Sequence, residues 1–270
     1  MTTRYTGYMV TDIFSHPITI ALLVALAINL VMFFVAFRFQ SDKLTDASYA
    51  ITFAVIALWA FVRSPHNWLH VVLLVMVLVW ALRLGGFLLY RILQTGRDTR
   101  FDDMRRSFWR FGKFWLGQAV AAWVLLLPYL FASGATVKPQ LSALSLLGVA
   151  VWLVGFVCES IADLQKLRFK KDPQNKNKWI ETGIWRYSRH PNYFGEILIW
   201  IGVYLCALPV VTPLQAVIGL VSPALIFILL VFVSGIPPLE KAANARWGEV
   251  AGYKRYKKRT SILIPLPLKK

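Results

Sequence analysis

Cysteine is scarce in this sequence, and the glycine-rich motifs that bind nucleotides are absent. Only Cys158 and Cys206 occur among 270 residues, both inside apolar stretches. We therefore expect no disulfide and no zinc or iron–sulfur site. No GxGxxG follows a strand pattern and no P-loop is present, which excludes Rossmann and P-loop nucleotide sites. Any nucleotide must be held by loops and helix ends.

Acidic residues are also few, with 13 Asp and Glu against 30 Lys and Arg and a formal net charge of +17. Strong basicity often indicates nucleic-acid binding. Here the positive charge is confined to loops between apolar runs, and 57% of the residues are hydrophobic. This pattern predicts an all-α integral membrane protein with no nucleic-acid partner.

Seven apolar segments each approach the roughly 17–25 residues that a membrane helix needs. They cover residues 17–38, 47–63, 67–92, 111–132, 140–162, 192–210 and 213–234. In this arrangement 26 of the 30 Lys and Arg residues fall on one side of the membrane. The positive-inside rule then predicts an outer N-terminus and a cytoplasmic C-terminus, and we expect the cell inner membrane. We expect one membrane domain over residues 1–270.

A cationic, hydrogen-bonding stretch precedes the sixth apolar segment. It contains Arg186, Arg189, His190 and Asn192, and Pro191 suits the first position of a helix. The free N–H groups of that helix start favour an anionic cofactor. A helix cap with basic membrane anchors is the alternative interpretation.

Charged residues inside the apolar segments support a site at the cytoplasmic ends of the helices. Arg83, Glu159, Asp163 and Glu196 all fall near the cytoplasmic third of their segments. Four charges at one depth are costly, so we expect them to have partners across a cavity.

Two cytoplasmic regions suit a nucleotide. Arg97 and Arg100 lie in a loop of alternating Arg and Asp, where guanidinium groups match phosphates, although such charges also pair with each other in a solvated loop. In the tail, Tyr253 and Tyr256 share a helical face beside Lys257. This pattern is typical of a lid over a cofactor ring or of a helix on the membrane surface.

The stretches ADLQK at 162–166 and GIWRYSRHPNYFGE at 183–196, with the tail's Tyr-x-x-Tyr and ILIP, resemble the steroid 5-alpha-reductase superfamily. The resemblance covers about residues 80–265 and is closest to a bacterial branch of seven-helix proteins. It implies NADPH held at the cytoplasmic end of the C-terminal half, residues 140–270. It also implies reduction of a carbon–carbon double bond conjugated to a carbonyl, with lipidic substrates entering the half formed by residues 1–132.

The resemblance also implies site residues, carried over by position. The family's substrate-holding Gln–Glu pair on the second helix is absent, and Asp46 and Tyr49 are the nearest candidates. Arg83 occupies the family's tyrosine position on the third helix, with Tyr90 two turns later. Asp46, Tyr49 and Tyr90 are thus the expected catalytic residues. The expected cofactor-binding residues include those of the helix start and the tail described above. They are Arg97, Arg100, Asp163, Lys166, Arg168, Lys170, Tyr187, Arg189, His190, Asn192, Tyr193, Glu196, Tyr253 and Tyr256.

Membrane isoprenylcysteine and phospholipid methyltransferases share an RHPxYxGE-like stretch, so an S-adenosylmethionine-dependent methyltransferase is the alternative. Their tails usually carry adjacent glutamates, whereas Lys241 follows Glu240 here. The surplus of cations also suits a tetra-anionic dinucleotide better than a sulfonium. A non-catalytic transporter or lipid-binding protein is a third class. We expect an NADPH-dependent reductase of a steroid-like or isoprenoid enone, with membrane lipids as partners and no metal.

Overall fold

The structure, a computed structural model, is helical, with one isolated bridge between Ser188 and Ser261 and no strand among the residues it describes. These are residues 16–41, 43–95, 102–135, 137 and 139–268, with the backbone alone for residues 43, 46, 91 and 93–95. The prediction of an all-α fold is confirmed for this part of the chain.

Ten α-helices follow one another along the described residues, with a π-helical turn at Leu229–Val233 between α8 and α9. They are α1 (Pro17–Arg38), α2 (Lys43–Val62), α3 (Trp68–Thr95), α4 (Phe108–Ser133), α5 (Ala143–Lys171), α6 (Pro191–Ala207), α7 (Pro213–Gly219), α8 (Val221–Ile228), α9 (Ile236–Trp247) and α10 (Ala251–Arg259).

Six helical stretches are long and apolar enough to cross a membrane, which indicates a multi-pass membrane protein. They are Pro17–Arg38, Trp68–Tyr90, Phe108–Ser133, Ala143–Lys171, Pro191–Val210 and Pro213–Trp247. The predicted span 47–63 overlaps α2 (Lys43–Val62), whose apolar stretch Ala47–Val62 is not among these six. Seven spans are therefore not confirmed, and the orientation and the choice of membrane stay predictions.

The chain groups into two compact units. The first comprises Met1–Ser142 and Cys206–Ser222, and the second comprises Ala143–Leu205 and Pro223–Lys270. The predicted single domain, with halves 1–132 and 140–270, stays a prediction.

A buried polar network joins α1, α2 and α4 in the first unit. Gln118 Nε2 donates to Asn29 Oδ1 over 3.0 Å and lies 2.9 Å from Ser48 Oγ, while Asn29 Nδ2 donates to Thr52 Oγ1 over 3.0 Å. Unsatisfied polar groups are costly in a membrane, so these hydrogen bonds specify how the three helices pack.

Glycines bring α5 and α6 into close contact in the second unit. A Cβ atom added to Gly155 would lie 2.6 Å from the carbonyl oxygen of Gly195, and one added to Gly202 would lie 2.6 Å from the backbone nitrogen of Trp152. Small residues permit this backbone approach, as is typical of membrane helices. The crossing depends on Gly155, Gly195 and Gly202, because a Cβ on Gly195 would lie 2.6 Å from Gly155 O and one on Gly202 would also lie 2.7 Å from Gly148 O.

Two adjacent glycines of α3 give a matched test of this packing principle in the first unit. A Cβ on Gly85 would lie 2.6 Å from Ala50 Cβ, whereas a Cβ on Gly86 would meet nothing within 4 Å. We expect Gly85→Ala to destabilise the protein by about 1–3 kcal/mol through overpacking. Gly86→Ala should be neutral or stabilising by up to about 1 kcal/mol, because alanine favours the helix. Thermal melts in detergent check this, and equal effects of the two substitutions would contradict it.

Candidate functional site

The cationic stretch leads directly into α6, as the sequence predicts. Pro191 is the first residue of the helix, and His190 before it is 5% exposed. Proline suits this position because an N–H group in the first turn would have no carbonyl partner within the helix. Arg189 and His190 therefore stand at the positive end of the α6 dipole.

Glu240 on α9 holds three basic groups together. Its Oε1 lies 3.1 Å from His190 Nε2, and its Oε2 lies 3.1 Å from Arg189 Nη1 and 3.3 Å from Lys257 Nζ. The carboxylate side chain is 17% exposed, so these contacts are poorly screened by solvent. Through these contacts one carboxylate connects α9 to α10 and to the residues before α6.

Arg189, His190 and Glu240 line a cavity of about 350 Å³. Its wall is basic and aromatic: five Lys and Arg side chains face one carboxylate, that of Glu240, and His190 and six aromatic residues complete it. The cations are Lys166, Lys170, Lys178, Arg189 and Arg246, and the aromatic residues are Phe169, Trp179, Trp185, Trp247, Tyr253 and Tyr256. The cations exceed the anions by four, so the cavity suits an anionic ligand with flat rings.

The aromatic residues of the wall are ordered by mutual contacts. The ring centroids of Trp179 and Tyr253 are 5.4 Å apart, and those of Tyr253 and Tyr256 are 6.2 Å apart. Lys166 Nζ lies 4.8 Å from the centroid of the Trp185 ring, a cation–π contact. The predicted clustering of Tyr253 and Tyr256 with Lys257 is confirmed, since Lys257 Nζ lies 5.8 Å from the Tyr253 centroid.

The loop before α6 is fastened to the end of α9. Asn177 has φ 65°, in the left-handed region that asparagine tolerates. Its carbonyl accepts a hydrogen bond from Trp247 Nε1 over 2.8 Å, and its side-chain oxygen accepts one from Arg246. Arg246 is thereby held at the cavity wall.

Burial determines the protonation of the cavity residues. Burial lowers the pKa of His190 below 6.5, although the hydrogen bond and the charge of Glu240 act in the opposite direction. Burial raises the pKa of Tyr253 and Tyr256, so both phenols stay protonated. His190 is neutral near pH 7 as a result, and we assign its proton to Nε2, which faces the carboxylate.

Six of the expected cofactor-binding residues line the cavity, namely Lys166, Lys170, Arg189, His190, Tyr253 and Tyr256. Others lie nearby in the chain without lining it. Of these, Tyr193 stacks on His190 with centroids 5.6 Å apart, Asp163 is buried, and Arg168 and Tyr187 are exposed. The remaining two are Asn192 and Glu196, both half-buried. The cofactor roles of all these residues stay predictions.

The expected catalytic residues belong to the first unit. Tyr49 packs its ring against Phe53, with centroids 4.9 Å apart, and Tyr90 is exposed. The side chain of Asp46 lies outside the described residues, as do Arg97 and Arg100. The catalytic assignments stay predictions.

The sequence analysis missed Glu240 as a site residue, together with Trp179, Trp185, Arg246 and Trp247. A signal was present for Glu240, because it is an acid at the start of a tail that is rich in Lys and Arg. Such an isolated acid predicts several basic partners.

A family described as "Protein of unknown function (DUF1295)" matches residues 32–260. The chain belongs to this family. No curated protein and no solved structure matches the chain. Within the part of the chain that the structure describes, no group of three or more His, Cys, Asp or Glu residues is arranged to hold a metal ion, and Cys158 and Cys206 are free thiols.

The importance of Glu240 is testable with one conservative pair of substitutions. Glu240→Gln keeps the shape but leaves three basic groups without their shared charge. We expect it to destabilise the protein by about 1.5–3 kcal/mol, the range for charge-assisted hydrogen bonds. Glu249→Gln is the control, because the Glu249 side chain is 97% exposed in its ion pair with Lys254 and should not change the melt. Thermal melts in which both variants behave alike would rule out the central role of Glu240.

His190 gives a pH dependence of defined sign. Because its pKa is lowered in the folded protein, the unfolded chain takes up the proton first as pH falls below 6.5. The free energy of unfolding should therefore decrease below that pH and level off above it. Melting temperatures between about pH 5 and about pH 8 measure this. The decrease should be smaller in His190→Asn, and an identical slope in that variant would assign the dependence to other groups.

Proposed function

We propose that the protein is a membrane oxidoreductase that transfers hydride from NADPH to the double bond of a lipidic enone. The main observation that supports this proposal is the cavity at the start of α6, with five Lys and Arg side chains, one carboxylate and six aromatic residues. The resemblance to the steroid 5-alpha-reductase superfamily supports the same chemistry. The six apolar helical stretches support a lipidic substrate, which reaches the protein from the bilayer.

The residues present fit NADPH. Its diphosphate and additional ribose phosphate call for several cations, and an excess of four in the cavity meets that need. Its rings call for flat, apolar surfaces, which the tryptophan and tyrosine side chains offer. A volume of about 350 Å³ is at the small end for ligand sites, so we assign this cavity to the phosphate-bearing part of the dinucleotide.

Each group of the cavity then has a separate task. Lys166, Lys170 and Arg246 bind phosphate oxygens, and Arg189 does so while Glu240 fixes its direction. The buried faces of Tyr253 and Tyr256 exclude water. NADPH, when bound, supplies the hydride. In this proposal a hydrogen-bond donor for the substrate carbonyl comes from Tyr49 or Tyr90, or from Asp46 in its protonated form, and it stabilises the enolate that forms.

An S-adenosylmethionine-dependent methyltransferase is the second candidate. The observation in its favour is the cavity volume of about 350 Å³, which is close to the size of a single nucleoside ligand. Against it, a sulfonium gains nothing from a surplus of cations.

Neighbouring lysines on α5 provide the test. Lys170 lines the cavity, whereas Lys171 does not, and both are exposed in the last turn of the helix. We expect the wild-type protein to bind NADPH more tightly than NADH, because NADPH has one more phosphate. Lys170→Gln should weaken NADPH binding about tenfold, the lower range for a hydrogen bond to a charged group.

Isothermal titration calorimetry of the detergent-solubilised protein measures these affinities. Lys171→Gln serves as the control and should bind NADPH as the wild type does. Binding of S-adenosylmethionine without binding of NADPH would decide for the methyltransferase. Equal losses in both lysine variants would mean that general surface charge, and not this cavity, attracts the cofactor.

A further inference from the structure

The chain after α10 runs alongside the residues that lead into α6. We call residues 260–266 the C-terminal segment. Four of the described hydrogen bonds connect it to that stretch, one of them made by Ser188. In the other three, Thr260 Oγ1 donates to Arg186 O over 3.2 Å, Arg189 N–H to Ser261 O over 2.9 Å, and Leu266 N–H to Tyr187 O over 3.3 Å.

Ser188 makes the connection to the cavity. This residue is 0% exposed, and its hydroxyl donates to Leu263 O over 2.6 Å while accepting the backbone N–H of His190 over 3.1 Å. A single hydroxyl therefore contacts both the C-terminal segment and a histidine of the cavity wall.

The backbone N–H groups of Arg189 and His190 depend on these contacts. Both residues precede α6, so neither N–H has a carbonyl partner within the helix. Arg189 N–H bonds to the C-terminal segment itself, and His190 N–H bonds to the hydroxyl that the segment orients. Without the segment, Arg189 N–H loses its partner and the Ser188 hydroxyl that accepts from His190 N–H is no longer oriented, so the backbone that presents both side chains to Glu240 is less firmly held.

We propose that Ser188 is a positioning residue, and that the docked C-terminal segment acts through it to hold Arg189 and His190 in the cavity wall. Ligand binding at this wall and docking of the segment then stabilise each other, because a coupling between two binding events is reciprocal. For the ligand, this inference rests on the proposed function and takes NADPH. The positioning role itself requires no ligand.

The matched pair for the test is Ser188→Ala and Ser222→Ala. Ser222 is also 0% exposed, and its hydroxyl also donates to a backbone carbonyl, that of Leu125, over 2.8 Å, but it belongs to the first unit. Both substitutions should lower the melting temperature. Only Ser188→Ala should change the cavity.

The histidine readout is direct because the chain contains four histidines. NMR of protein labelled with nitrogen-15 histidine follows the titration of each, and His190→Asn identifies the His190 signal. The groups around this imidazole are Glu240 on α9, Lys166 on α5 and Arg189. In Ser188→Ala we expect the pKa of His190 to move upward toward 6.5, as the ring gains contact with water. In Ser222→Ala it should stay at the wild-type value.

Hydrogen exchange measured by mass spectrometry reports on the C-terminal segment. Peptides covering residues 260–268 should exchange about threefold to tenfold faster in Ser188→Ala, the factor expected for losing one hydrogen bond. NADPH should slow exchange of these peptides in the wild type. If calorimetry shows that NADPH binds but NADPH leaves the exchange of these peptides unchanged, the coupling is overturned. If NADPH does not bind while Ser188→Ala still shifts His190, the positioning role is supported and the proposed cofactor is contradicted.

A lower melting temperature with an unchanged His190 titration and unchanged exchange would make Ser188 merely structural and overturn the inference. If Ser188→Ala does not fold, Leu266→Pro replaces it. That substitution removes the N–H that donates to Tyr187 and alters a side chain that is 46% exposed. It should shift the His190 pKa and the exchange rates in the same directions by less, and no shift in either would equally overturn the inference.

Discussion

One carboxylate surrounded by three basic groups organises the second unit. Glu240 lies within 3.3 Å of nitrogen atoms on His190, Arg189 and Lys257, so it joins its own helix α9 to the residues before α6 and to α10. A half-buried acid is stable as an anion only with such partners, and the charges of Arg189 and Lys257 repel each other without it. The basic wall of the cavity is therefore compatible with folding because this anion neutralises part of its charge. Among the described residues the wall keeps more cations than carboxylates and is therefore basic.

The cavity also depends on the backbone around α6. Gly155 and Gly195 let α5 and α6 approach so closely that a Cβ atom would clash with a carbonyl. The C-terminal segment and Ser188 fix the two residues before the helix. Arg189 and His190 are thus held through their backbone by Ser261 and Ser188 and through their side chains by Glu240. In physical terms, their charges and hydrogen bonds are oriented before a ligand arrives, which lowers the entropy lost on binding.

The sequence predicted those features that depend on local pattern. Apolar length identified the membrane-crossing stretches, proline identified the first residue of α6, and the spacing of Tyr253 and Tyr256 identified a shared face that the structure confirms. It did not assign Glu240 or Trp179 to the site. These residues approach the start of α6 only through tertiary packing, which no short pattern encodes.

The number of membrane spans also depends on more than local sequence pattern. Residues 47–63 are apolar and overlap α2 (Lys43–Val62), yet the apolar stretch Ala47–Val62 is not among the six that are long enough to span. Length and composition alone do not separate a short spanning helix from one packed within a unit. The roles predicted for Tyr49 and Tyr90 rest on the family resemblance, and no local sequence pattern indicates them.

The central claim is that an anionic dinucleotide binds where Glu240 gathers the basic side chains. Structure determination of the detergent-solubilised protein with NADPH tests it most directly. We expect density for the dinucleotide phosphates against Arg189, Lys166 and Arg246, with Glu240 still contacting Arg189. Density for NADPH at any other place, or an empty cavity at saturating NADPH, would contradict it.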